Sequence, residues 1–219
     1  MSKPANRPLF LVFEGVDGAG TTTQSDLLVA RLRDAGHELV QTREPGGTPF
    51  GEGARSLVLD PRYGDVDPVA ELFVYGAARR QHAHELIEPA LNQGKPVICD
   101  RYAASTAAYQ GGGRGLDRSL VRTVNAAAVG SCTPALTILL DVPVAEGERR
   151  RRARGEAADR LELAGTGFQE RVRAEYLALA AADPDGWWVV AGDGTAAELA
   201  EVIYGELNRR WPSFPFGDD

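Results

Sequence analysis

Two runs, 9–14 (LFLVFE) and 135–141 (ALTILLD), are apolar at nearly every position instead of at alternate ones. Strands of that kind are buried on both faces, as in a parallel sheet covered by helices on either side. Three further β-rich runs lie at 38–42, 96–100 (PVICD) and 187–191 (WWVVA). Segments with helical spacing fall between and around them, at about 21–35, 68–92, 117–129, 145–154, 168–182 and 195–210. This alternation predicts an α/β fold of three layers, a five-stranded parallel sheet flanked by helices. At 219 residues, with no linker, repeat or low-complexity tract, the chain reads as a single domain over 1–219, with flexible ends at 1–7 and 212–219.

Composition narrows the partners. Charged residues make up 25% of the chain and the net charge is −7, which argues against a surface devoted to nucleic acid or to an anionic membrane. No run approaches 18 apolar residues and no secretory signal opens the sequence, so a cytoplasmic location is expected. Cys99 and Cys132 stand beside apolar segments and read as buried, inert thiols.

In an open parallel sheet, ligands collect at the carboxyl ends of the strands. The first such end reads EGVDGAGTTTQ, with Gly15 and Gly20 five apart between a strand and a helix. That context makes it a phosphate loop of the NTPase kind: backbone N–H groups and the helix dipole converge on an anion. Thr22 is placed to bind Mg²⁺ through its hydroxyl. Thr21 stands where such a loop ordinarily carries lysine, and removing one preorganised donor from a site of this type costs about 2.7–4 kcal/mol in the transition state. Either another cation reaches the phosphates, or the protein binds nucleotide and turns over slowly.

The second feature is a basic run, 148–156 (ERRRRARGE), in an acidic chain. It follows the strand ending at Asp141, so the segment at about 146–162 is expected to form a small arginine-rich lid over the loop; the competing reading is a solvated helix face or a targeting patch. Asp100 and Arg101, at another strand end, suit a metal and a phosphate. The alternative for that pair is a local salt bridge. Tyr75 and Arg79 are four apart and share one helix face, which suits stacking on a base and bonding its edge, although such a pair is more often core plus surface. His82 and His84, two apart, face different sides and do not read as a metal pair, and His37 reads as a loop residue.

Together, EGVDGAG, TREPGGTPFGEGARSLVLD, AELFVYGAAR, CDRYAASTAAYQGGGRGLD, ALTILLDV, DRLE and FQERVRAEYLALA resemble bacterial thymidylate kinases, within the phosphate-loop nucleoside monophosphate kinases, over 9–211. The resemblance implies phosphorylation of dTMP to dTDP with MgATP, for dTTP synthesis. It implies that Gly15, Val16, Asp17, Gly18, Ala19, Gly20, Thr21 and Thr22 hold ATP, with Thr22 and Asp100 at Mg²⁺. Asp17 contacts the sugar 3′-hydroxyl or the metal, and Arg101 clamps the acceptor phosphate. Glu44, Pro45 and Arg55, with Arg43, line the dTMP pocket together with Ser105. Arg79, Thr106 and Gln110 read the thymine edge. Tyr75 stacks on the ring, where relatives usually carry phenylalanine, and Tyr109 crowds the sugar 2′ position. Where glycine occupies the place of Gly18, the family draws a catalytic arginine from the lid, here Arg151, Arg152 or Arg154. A homodimer is implied as well. Two alternatives stay open: a nucleotide-binding protein of weak or no kinase activity because of Thr21, and a kinase for another pyrimidine deoxynucleotide.

Overall fold

β1 (Phe10–Gly15) is buried along its whole length, and its residues alternate between two apolar clusters. Leu11 and Phe13 enter one cluster with Leu28, Val29 and Leu32, while Phe10 and Val12 enter the other with Ala83, Ile87 and Cys99. A strand that feeds core on both faces is the centre of a three-layer α/β domain. The computed structural model of the chain describes residues 9–155, 158–212 and 214. The segments expected to fray, 1–7 and all of 212–219 except 212 and 214, lie outside them, as do 156 and 157 of the expected lid.

Among the described residues the sheet has five strands, ordered β2 (Val40–Arg43), β3 (Val97–Asp100), β1, β4 (Leu136–Asp141), β5 (Trp187–Ala191), and every neighbouring pair is parallel. The register sets Phe13 beside Asp100, Arg43 beside Asp100 and Gly15 beside Leu140. The carboxyl ends of β1, β2 and β3 are therefore aligned, and the loops that leave them meet at one edge.

The helices are α1 (Thr21–Asp34), α2 (Pro49–Leu59), α3 (Pro68–His82), α4 (Glu88–Asn92), α5 (Ala103–Thr106), α6 (Arg118–Val129), α7 (Val144–Arg154), α8 (Thr166–Ala182) and α9 (Ala196–Arg210). The single helix expected over 68–92 is continuous but widens into a π turn, Ala83–Ile87, ahead of Pro89. The wider turn accommodates a proline that has no N–H to donate and whose ring crowds the preceding turn. α2 is an element that sequence patterning does not give, because Pro49, Gly51 and Gly53 are poor helix formers. Thr48 caps it by accepting from Gly51 N at 3.0 Å, Pro49 fits the first turn, and Ala54 and Val58 bury its inner face. A second π segment, Ala107–Gly113, extends α5 through three glycines that read as a loop; it lies against α8.

Candidate active site

The aligned strand ends open into a cleft of about 560 Å³. One part is walled by the glycine loop. Asp17, Gly18, Gly20, Thr21 and Thr22 line it, whereas Val16 and Ala19 are buried behind and Gly15 lies at the strand end. No side chain caps α1, so its first-turn N–H groups face the cleft uncapped, as anion binding requires. Gly18 has φ +83°, and a Cβ there would sit 2.2 Å from the Gly147 carbonyl oxygen of α7. The start of the arginine-rich helix is thus seated against the loop backbone, and no side chain fits between them.

Asp17 is held from three sides. Its Oδ1 accepts from Arg101 Nη2 at 3.0 Å and from the Tyr109 hydroxyl at 2.7 Å, and its Oδ2 accepts from Gln169 Nε2 at 2.6 Å. Arg101 also donates to the Gly15 carbonyl at 2.6 Å, and at φ 68° it is the one non-glycine with positive φ among the described residues. Strain of this kind persists where surrounding contacts over-determine it, which is common at functional sites. Burial by itself would weaken Arg101's hold on its proton, but Tyr109, Tyr176, Asp17 and Asp100 outweigh that and raise its pKa well above the ordinary value, so it stays a cation. For Tyr109 burial acts the other way and raises the pKa well above the ordinary value, so it stays a neutral phenol.

Thr22 Oγ1 is 2.5 Å from Asp100 Oδ2, while Asp100 Oδ1 is buried and has no hydrogen-bond partner. A carboxylate oxygen left bare beside a hydroxyl, at the mouth of an anion-binding loop, fits a divalent cation such as Mg²⁺. Such an ion takes one or two protein oxygens and completes its shell with water and phosphate. Among the described residues there is no cluster of three or more acidic, His or Cys side chains that builds a full protein cage.

Across the cleft, Arg43 Nη1 and Arg55 Nη1 converge on the Pro45 carbonyl, at 2.9 and 3.1 Å. Burial, and next the charge of Arg43, lower the pKa of Arg55. Two guanidinium groups facing one another are relieved by an anion between them. Deeper lies a recess lined by the buried side chains Tyr75, Arg79, Thr106 and Gln110. Arg79 donates to Glu44 at 2.7 Å, to Thr106 at 2.9 Å, to Asn125 at 2.8 Å and to the Tyr102 carbonyl at 3.0 Å. Gln110 donates to Glu71, and Ser105 to Glu14. The recess presents a ring wall and fixed polar groups, suited to a planar heterocycle.

The arginine run divides. Arg149 and Arg150 pair with Glu146, and Arg150 also reaches the Gly192 carbonyl. Arg151 lies 3.7 Å from Glu162 at the cleft rim, and Arg154 lines the cleft beside Asp159, Leu161 and Glu162. Arg152 does not stand with them: it is exposed, pairs with Glu148 one turn away and is not part of the lining. Reading by sequence omitted Glu71, Asn125, Gln169 and Tyr176 and gave no site role to Glu14 and His82; all six are buried or partly buried partners of the lining residues.

A family model described as thymidylate kinase matches residues 13–202. A thymidylate kinase of Thermomicrobium roseum is 50% identical over 195 residues, 89% of this chain and 92% of that one. One of Desulfosudis oleivorans is 48% identical over 207 residues, 92% and 97% of the two chains. The crystal structure of thymidylate kinase from Ehrlichia chaffeensis superposes with a TM-score of 0.74 at 33% identity, covering 92% of this chain and 98% of that one.

Proposed function

The chain belongs to the thymidylate kinase family and phosphorylates dTMP to dTDP; from that premise we propose how its residues divide the work, with ATP as donor and Mg²⁺ as cofactor. The observation that carries this division is the cleft itself, where a glycine loop and a buried recess with a ring wall share one cavity. Gly15 to Thr22 hold the phosphates of ATP through backbone N–H groups. Arg43, Arg55 and Arg101 hold the acceptor phosphate, Tyr75 stacks on thymine, and Arg79, Thr106 and Gln110 face its polar edge. Glu44, Pro45 and Ser105 shape this pocket, and Tyr109 fills the space beside the sugar. Asp17, fixed by Arg101, Tyr109 and Gln169, presents its carboxylate where donor and acceptor meet.

The acceptor is already an ionised phosphate, so no general base is needed, and catalysis reduces to alignment and charge stabilisation. Thr22 and Asp100 would hold Mg²⁺, which when bound offsets charge on the donor phosphates. The absence of a loop lysine leaves a deficit of positive charge. We assign its replacement to Arg154, the member of the basic run that lines the cleft, with Arg151 beside it at the rim and Arg101 on the acceptor side. Gly18 belongs to the same arrangement: with α7 seated on the loop, the cation comes from the lid and not from position 18.

Among the described residues no helix is long and apolar enough to cross a membrane, and we propose a cytoplasmic enzyme. A homodimer is also proposed, supported by exposed Phe50, Leu57 and Phe73 on the contacting helices α2 and α3. The test of the substrate assignment is ADP release with dTMP, dUMP, dCMP and UMP in parallel; dTMP should give the highest kcat/KM, and equal values for dCMP would refute the recess assignment.

A further inference from the structure

His82 ends α3 with no exposed surface, and both ring nitrogens are engaged. Nδ1 is 2.8 Å from Glu44 Oε1, and Nε2 is 2.7 Å from Thr42 Oγ1. Glu44 Oε2 in turn accepts from Arg79 Nε at 2.7 Å. A relay therefore runs Thr42, His82, Glu44, Arg79, beginning on β2 outside the cleft and ending in its lining. A carboxylate only accepts, so Nδ1–H donates to Glu44, while Nε2 meets the Thr42 hydroxyl, which can donate or accept.

The same ring supports the turn after Pro45. Gly47 has φ +78°, and a Cβ on it would lie 2.7 Å from His82 Nε2 and Cδ2. The ring therefore fills the space under Gly47 while it orients Glu44, three residues earlier. Arg79 and His82 are three apart on one helix, so they rise from the same face. Arg79 has its Nε, both Nη1 protons and one Nη2 proton committed to Glu44, Thr106, Asn125 and the Tyr102 carbonyl. Its guanidinium cannot rotate to meet a ligand, so its placement depends on these partners.

We propose that His82 is a positioning residue for the acceptor nucleotide, holding Glu44 and through it the Arg79 guanidinium in the orientation that receives the base. This rests on the assignment of the recess to dTMP. A histidine that served the core alone would contribute to stability without affecting ligand affinity; His82 differs because its carboxylate partner lines the cleft.

The test is dTMP binding by titration calorimetry, with steady-state kinetics on the same samples of full-length chain. His82→Leu removes both bonds and is expected to weaken dTMP binding, and to raise its KM, about tenfold to thirtyfold. The kcat at saturating dTMP and the KM for ATP should stay within about threefold. His82→Gln, whose amide can donate to Glu44 and accept from Thr42, should recover most of the loss. Thr42→Val, which keeps the Glu44 contact and lies outside the lining, should show a smaller loss of about threefold; it carries the test if His82→Leu does not fold. Parental dTMP affinity in His82→Leu, or in Thr42→Val where His82→Leu fails to fold, would overturn the proposal while leaving the acceptor pocket intact. A parent chain that binds no dTMP overturns both.

Discussion

Thr22 Oγ1 and Asp100 Oδ2 meet at 2.5 Å across 78 residues of sequence, tying the first turn of α1 to the end of β3. The other Asp100 oxygen is buried with no partner, a costly state unless a ligand completes it.

If that pair holds the cation, Thr22→Ala should lower kcat about a hundredfold, the usual effect of losing one preorganised group at such a site. Asp100→Asn should in addition raise the Mg²⁺ concentration needed for half-maximal rate at least tenfold. A Mg²⁺ titration of both variants checks this, and an unshifted midpoint for Asp100→Asn would place the cation elsewhere.

Thr21 is buried at the start of α1, so the loop closes without a lysine stem passing over it. Thr21→Lys restores the cation that phosphate loops ordinarily carry and is expected to retain or exceed the parental kcat. A drop greater than about a hundredfold would mean that the loop backbone requires threonine. Stopped or steady-state ADP assays of the variant distinguish the two.

Glu71 has no exposed surface and accepts from Gln110 at 2.7 Å, from Arg114 at 3.1 Å and from Arg160. Removing the carboxylate strands the Arg160 charge, which is itself buried, and breaking such a pair from one side typically costs about 3–5 kcal/mol. Glu71→Gln should therefore lower the unfolding free energy by that amount, read as a lower urea midpoint at unchanged slope, and Glu71→Met with Arg160→Met should regain much of it. Near-parental stability of the single variant would show that Arg114 and Arg160 find other partners.

Burial raises the pKa of Glu14 above its ordinary 4.5, against the opposing charge of Arg101 and hydrogen bonds from Ser105, Tyr176 and the Tyr102 N–H. The folded chain then holds this proton more tightly than the unfolded chain does. The contribution of Glu14 is fully present below pH 4.5 and is lost as pH rises through the folded value. Relative to Glu14→Gln, which does not titrate, the parent should lose stability as pH rises from 4.5, with a slope of at most about 1.4 kcal/mol per pH unit. Urea midpoints of both proteins over that range give the slope, and a slope of the opposite sign would contradict a raised pKa at Glu14.

The sheet was readable because fully apolar strands and helix-length spacers leave few alternatives, and each expected strand appears within about two residues of its place. α2 and the π segment after α5 were not, because proline and glycine there signal turns, while capping by Thr48 and packing against α8 decide the outcome. Most lining residues lay in strand-end motifs and were legible for that reason. Their partners were not: Gln169 meets Asp17 across 152 residues and His82 meets Glu44 across 38, and local spacing carries no trace of such contacts. Arg152 shows the opposite failure, since five neighbouring arginines look equivalent until helix geometry turns one toward Glu148 and another toward the cleft.

If a guanidinium from the basic run serves the phosphoryl group where the loop has no lysine, dTMP-dependent ADP formation by the purified chain beside its Arg154→Ala variant reveals it. The parent should turn over at roughly 1–100 s⁻¹, as kinases do. Arg154→Ala, and more so the triple change of Arg151, Arg152 and Arg154 to alanine, should fall by at least about a hundredfold in kcat with little change in dTMP affinity, whereas Arg152→Ala alone stays near the parent. Parental kcat in the triple variant would show that the transferred phosphoryl group is neutralised by some other group.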